Sequence, residues 1–110
     1  WGSIGEGVHN ETMIERYAAH TAPVASVVYL DAGGGPGSGC VDADGDGVDD
    51  DTEDASDNYC ENAQMRDLML GGGVYIDTQN FFFVWDQGAV HNDAAWSARA
   101  AYPLGLFADL

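Results

Sequence analysis

Apolar residues recur along this chain with two different periods, and each period marks a different kind of element. In residues 11–20 (ETMIERYAAH), Met13, Ile14, Tyr17 and Ala18 fall on one side of a helix. Asn10 is placed to cap it and Pro23 to end it. Residues 24–30 (VASVVYL) form a β-branched apolar run, the pattern of a strand buried on both faces. Residues 62–70 (NAQMRDLML) return to helical spacing, with Met65, Leu68 and Met69 facing a core and Gly71-Gly72-Gly73 as the stop. Residues 80–85 (NFFFVW) are a second apolar strand. A third helix is expected over residues 93–101 (DAAWSARAA), opened by Asn92 or Asp93 and stopped before Pro103.

This order predicts an α/β fold built on a right-handed βαβ unit with two parallel strands. Two parallel strands leave sheet edges and helix faces uncovered. A partner or a further segment is therefore expected to complete the sheet.

The long connection between the first strand and the second helix changes the picture. It opens with Gly33-Gly34-Gly35-Pro36-Gly37-Ser38-Gly39, a composition that does not form helix. Nine of the chain's 19 carboxylates then fall between Asp42 and Asp57. A run of this density is ordinarily a solvated stretch held open by like-charge repulsion. Its spacing argues for more, because Asp42, Asp44, Asp46, Gly47, Val48, Asp50 and Glu53 fit the calcium-loop pattern D-x-D-x-D-G-x5-E.

Each position has a chemical reason. Asp42, Asp44 and Asp46 supply hard oxygen donors, Gly47 makes the sharp turn, and Val48 offers its backbone carbonyl. Asp50 acts directly or through water, and Glu53 closes the sphere with two oxygens. So many carboxylates at one point repel one another without a cation. Calcium is the expected cofactor, and it is expected to order the loop. No helix precedes the loop and no second loop pairs with it, so it reads as an isolated structural site rather than a sensor.

Cys40 and Cys60, the two cysteines of the chain, bracket the acidic segment. Paired, they would tie its two stems together and close a ring of about twenty residues, worth roughly 3 kcal/mol in the chain-entropy model. Two free thiols are the alternative. A disulfide beside a calcium loop points to a secreted or periplasmic protein.

Overall charge narrows the partners. The 110 residues carry three Arg, no Lys and a formal net charge of −16, with 45% hydrophobic residues. That apolar share supports a core within a single domain, while the charge leaves no electrostatic basis for binding phosphate backbones or anionic membranes. Nucleic acid and membrane are not expected as partners. No run of about 18 apolar residues is present to span a bilayer. The first residues, Trp1-Gly2-Ser3, lack an initiator Met and a basic, apolar leader, so the chain is expected to be processed or excised from something longer.

Three segments resemble one enzyme family. Val28-Tyr29-Leu30-Asp31-Ala32-Gly33-Gly34 resembles the strand-to-loop "LD-x-G" segment of the α/β-hydrolase esterase branch that includes S-formylglutathione hydrolase and feruloyl-type esterases. Asp57-Asn58-Tyr59, followed by Gln64-Met65-Arg66-Asp67-Leu68, resembles that family's acid-bearing "DN-aromatic" and the helix after it. Gly88-Ala89-Val90-His91-Asn92-Asp93-Ala94-Ala95-Trp96 is similar to its "G-x-x-H-x-x-x-x-W" segment near the C-terminus.

The resemblance spans residues 24–107 and implies the C-terminal portion of an α/β-hydrolase sheet, with the calcium loop inserted. It also implies that His91 is the general base of a Ser-His-Asp triad and Asp57 the acid that orients it. Asp31, Asp51 and Asp54 are neighbouring alternatives for the acid. His9 and His20 read as structural, and Trp96 is expected to pack behind His91 as core.

One departure matters. No G-x-S-x-G occurs, and none of Ser3, Ser26, Ser38, Ser56 and Ser97 has Gly at both second positions. The oxyanion-hole loop is absent too. The resemblance therefore implies that this chain alone is not an active esterase. An N-terminal portion carrying the nucleophile would complete it, with a small ester as substrate. The alternative from a different class is a non-catalytic extracellular calcium module that self-assembles into an oligomer or filament, in which His91 has no catalytic part.

Overall fold

The first helix shows how closely local chemistry decides these elements. In the computed structural model, which describes residues 12–19, 26–52 and 58–108, α1 spans Met13–Ala18. Thr12 rather than Asn10 is its cap, and Asn10 lies outside the described residues. The Thr12 hydroxyl accepts from the Glu15 N–H at 3.0 Å, and the Glu15 carboxylate accepts from the Thr12 N–H at 2.8 Å. That reciprocal pair satisfies two otherwise orphaned donors, so the helix starts where the T-x-x-E spacing permits it.

Strand β1 spans Val28–Ala32 and β2 spans Phe81–Trp85. They pair in parallel, Val28 against Phe81 through Ala32 against Trp85. Helix α2, Tyr59–Gly71, crosses between them, so the βαβ unit and the α/β class read from the sequence are both present.

The strand limits differ from the expected 24–30. β1 starts at Val28 and runs on through Asp31. Val24 and Ala25 lie outside the described residues. A charged residue inside the strand is tolerated because Asp31 has partners: the Tyr29 hydroxyl donates to it at 3.0 Å, and the Arg99 guanidinium lies 3.4 Å away. Nor is β1 buried on both faces. Ala32 alone is fully enclosed, and Val28 to Asp31 are half-buried.

The core lies between the sheet and helices α1 and α2. Ile14, Val48, Met65, Met69, Tyr75 and Phe81 form its buried centre, with Val28, Leu30, Leu68 and Phe83 packed around them. Met65, Leu68 and Met69 face inward as their helical spacing predicts. Helix α2 starts a turn earlier than the sequence pattern indicated, with Asn58 in the left-handed region at φ 56° and no side-chain cap of its own.

Beyond the strands, the pairing continues in the loops. Asp86 N–H donates to Ala32 C=O, and Gly88 N–H and Trp85 Nε1–H both donate to Gly34 C=O. The segment after β1 therefore runs beside the segment after β2, at the carboxyl ends of both strands.

The C-terminal part holds two helices where one was expected. α3 spans Asp93–Arg99, capped by Asn92, whose side chain accepts from the Ala95 N–H at 2.9 Å. After Ala100, α4 spans Ala101–Ala108 and contains Pro103. Pro103 sits in the first turn, where its missing N–H has no intrahelical acceptor to lose, so proline does not end the helix there. α4 has no buried residue and exposes Tyr102, Leu104 and Phe107. Among the described residues, no helix is long and apolar enough to cross a membrane.

Candidate metal centre

The acidic loop is organised by its own backbone. Asp42 Oδ1 accepts from the N–H groups of Gly45 (2.7 Å) and Asp46 (3.1 Å), and Asp42 Oδ2 accepts from Gly47 N–H (2.9 Å). Asp44 Oδ1 accepts from Asp46 N–H, and Asp46 Oδ1 accepts from Val48 N–H at 2.8 Å. Gly47 has φ 88°, with open space where a Cβ would stand. The constraint there is the left-handed backbone itself, which glycine adopts without the strain a side chain adds. Across the base of the loop, Val41 and Asp50 form an antiparallel bridge, and Asp50 Oδ2 accepts from Ala43 N–H at 2.9 Å.

These turns bring three of the expected ligands together. Asp42, Asp44 and Asp50 each present a carboxylate oxygen, and the three oxygens lie within 4.8 Å of one another. Asp46 is not part of that trio; its Oδ1 accepts from Val48 N–H at 2.8 Å. Glu53 lies outside the described residues. The local electrostatics carry the mark of crowding. The Asp46 N–H pulls the Asp44 carboxyl down, but desolvation and the neighbouring Asp46 and Asp50 carboxylates outweigh it and leave Asp44 raised above its ordinary value. Residues 40–52 include no Lys, Arg or His to offset that repulsion. The donors are all hard oxygens, which suits calcium better than a softer transition metal.

A disulfide, a buried side chain and a helix cap help to weld the loop to the fold. Cys40 and Cys60 form the disulfide, with Cα atoms 5.4 Å apart and Cys60 fully buried at the start of α2. Val48, the one large apolar side chain in residues 42–52, is 3% exposed and belongs to the core. Burying a valine contributes about 1.5–3 kcal/mol. Finally, Asp51 caps α2 from outside the helix: its carboxylate accepts from Asn58 N–H at 2.9 Å and Cys60 N–H at 3.1 Å. That supplies the cap which Asn58 lacks and places negative charge at the positive helix end.

Asp51 and one further residue, Gln64, carry functions that pattern reading did not find. Gln64 Oε1 accepts from Asp49 N–H and Gln64 Nε2 donates to Gly47 C=O, both at 2.8 Å. No local signal marks either residue, since their partners lie 7 to 17 positions away along the chain.

The residues singled out by the esterase resemblance are placed as follows. His91 is exposed on the loop after β2, its ring meeting Trp96 edge-on at 4.7 Å. Trp96 does lie against His91, but at 41% exposure it is a surface residue rather than core. The helix carrying it, α3, buries Arg99 instead. Asp57 and Asp54 lie outside the described residues, as do His9 and His20. Of the other acid candidates, Asp31 is held by Tyr29 and Arg99, and Asp51 caps α2.

Compared with protein-family models, with curated proteins and with solved structures, the chain matches none of them.

Proposed function

We propose that residues 40–60 form a disulfide-closed calcium loop that stabilises an extracellular or periplasmic α/β domain. The convergence of the Asp42, Asp44 and Asp50 oxygens within 4.8 Å carries this reading, in a segment with no cationic side chain of its own. Asp42, Asp44, Asp46, Asp50 and Glu53 would hold the ion together with the Val48 carbonyl. The ion would supply charge compensation, and its binding free energy would add to that of folding. The disulfide fits an oxidising compartment.

Calcium titration of the disulfide-intact chain by calorimetry, paired with thermal melts in calcium and in chelator, tests this. At a hundredfold excess over the dissociation constant, calcium should add about 2.7 kcal/mol of stability. Identical melts with and without calcium would sink the reading.

A second reading is favoured by the position of His91. It follows β2 at the carboxyl ends of the parallel strands, the place where open α/β sheets bind ligands. On this reading the chain is the C-terminal portion of a serine esterase. His91 is its base and Asp57 its acid, while the nucleophile and oxyanion hole come from an N-terminal portion. The far stem of the calcium loop carries Asp57, so the ion would steady the triad as well as the fold. Intact mass and a denaturing gel of native material decide between the possibilities. A co-purifying G-x-S-x-G polypeptide, with ester hydrolysis abolished by His91→Ala, supports the esterase. A homogeneous assembly of this chain alone supports the self-assembling calcium module.

A further inference from the structure

Gln64 reaches from α2 to both sides of Val48. Its carboxamide accepts from Asp49 N–H and donates to Gly47 C=O, each at 2.8 Å. A neighbouring β-strand would offer the backbone the same pair of groups, one acceptor and one donor flanking a single residue. This side chain thus takes the place of a pairing strand for an isolated loop.

The consequence for the site follows from peptide planarity. In a trans peptide, the C=O and the next N–H point in opposite directions, and no described peptide bond is cis. Gly47 C=O faces Gln64, so Val48 N–H faces away, and it meets the Asp46 carboxylate at 2.8 Å. Asp49 N–H also faces Gln64, so Val48 C=O is turned to that same carboxylate side of the loop. The buried Val48 side chain holds the residue against rotation.

Resting on the calcium reading above, we infer that Gln64 is a positioning residue of the cation site: it aims the Val48 carbonyl at the ion without touching the ion itself. A purely structural role for the same two hydrogen bonds would stabilise the ion-free and ion-bound forms alike. A positioning role acts on affinity, and outer partners of metal ligands typically set it by roughly 10–100-fold.

The experiment compares the full disulfide-intact chain with Gln64→Met, which keeps length and loses both hydrogen bonds. Calcium affinity is measured by calorimetry, and melting is followed in calcium and in chelator. The expected result is calcium binding roughly tenfold weaker in the variant, with a larger melting difference in calcium than in chelator. An unchanged dissociation constant with equal losses in both buffers overturns the inference and leaves the calcium reading intact. Absence of calcium binding by the unmodified chain overturns the calcium reading, and this inference with it. Should Gln64→Met fail to fold, Gln64→Ala is read by the same criteria, since it removes the same amide while favouring helix.

Discussion

Asp31 and Asp86 share Arg99, whose guanidinium nitrogens lie 3.4 and 3.7 Å from their carboxylates, whereas Asp42, Asp44 and Asp50 converge in a segment without Lys, Arg or His. Both regions gather acidic oxygens. The first brings its own cation from α3 and keeps it 96% buried, while the second has no cationic side chain within residues 40–52 and, on the calcium reading proposed above, would take its cation from solution. With three Arg against 19 acidic residues, internal neutralisation is scarce. Arg66 pairs with the adjacent Asp67 and lies over the Phe83 ring. On that reading, the contrast separates charge balance that is fixed by folding from charge balance that would follow the composition of the solvent.

The largest test of that contrast is Arg99→Met. Breaking a fully buried ion pair costs about 3–5 kcal/mol, and the partial exposure of Asp31 and Asp86 should bring this down to about 2–3 kcal/mol. Denaturant unfolding should show the same loss in calcium and in chelator. A calcium-dependent loss would mean that the two regions are not separate systems.

A smaller effect, with opposite signs in the two buffers, is expected of Asp44→Asn. Asp44 is raised by its surroundings, so in chelator its ionised form opposes the folded loop at neutral pH. The amide should make the ion-free protein slightly more stable and weaken calcium binding by about tenfold or more, since affinity follows ligand charge. Melts that fall in both buffers would contradict the crowding argument.

The smallest effect concerns Glu61, next to the disulfide-bonded Cys60 in the first turn of α2. Burial, helped by the Asp51 charge, raises its carboxyl, and its Oε2 is buried with no hydrogen-bond partner among the described residues. A raised folded-state value favours protonation in the fold, so stability is present at low pH and lost as pH rises through that value. Glu61→Gln should therefore raise the melting temperature slightly at neutral pH. The gain should vanish toward the ordinary Glu value of about 4.3. A gain independent of pH would point to packing rather than charge.

Elements whose signals are local were legible in the sequence. The parallel strand pair follows from two short apolar runs separated by a helix, and the inward face of α2 follows from the spacing of Met65, Leu68 and Met69. The Asp42–Asp50 turn follows from alternation and Gly47. Features that depend on distant partners were not legible. The strand β1 extends through Asp31 because Arg99, 68 residues later, reaches it. α2 begins early because Asp51, seven and nine positions before the N–H groups it accepts from, caps it. Pro103 misled for a different reason: its effect depends on where in the helix it falls, and that was set by the break at Ala100.

The bond between Cys40 and Cys60 also decides how this molecule behaves under attack by proteases. Residues 41–45 and 47 are exposed, and both sides of any cut between residues 41 and 59 remain covalently joined. A nicked molecule would migrate as one band on a non-reducing gel and separate into two pieces only after thiol treatment. The closed ring thus keeps the two pieces of a cut chain tethered for as long as its surroundings stay oxidising.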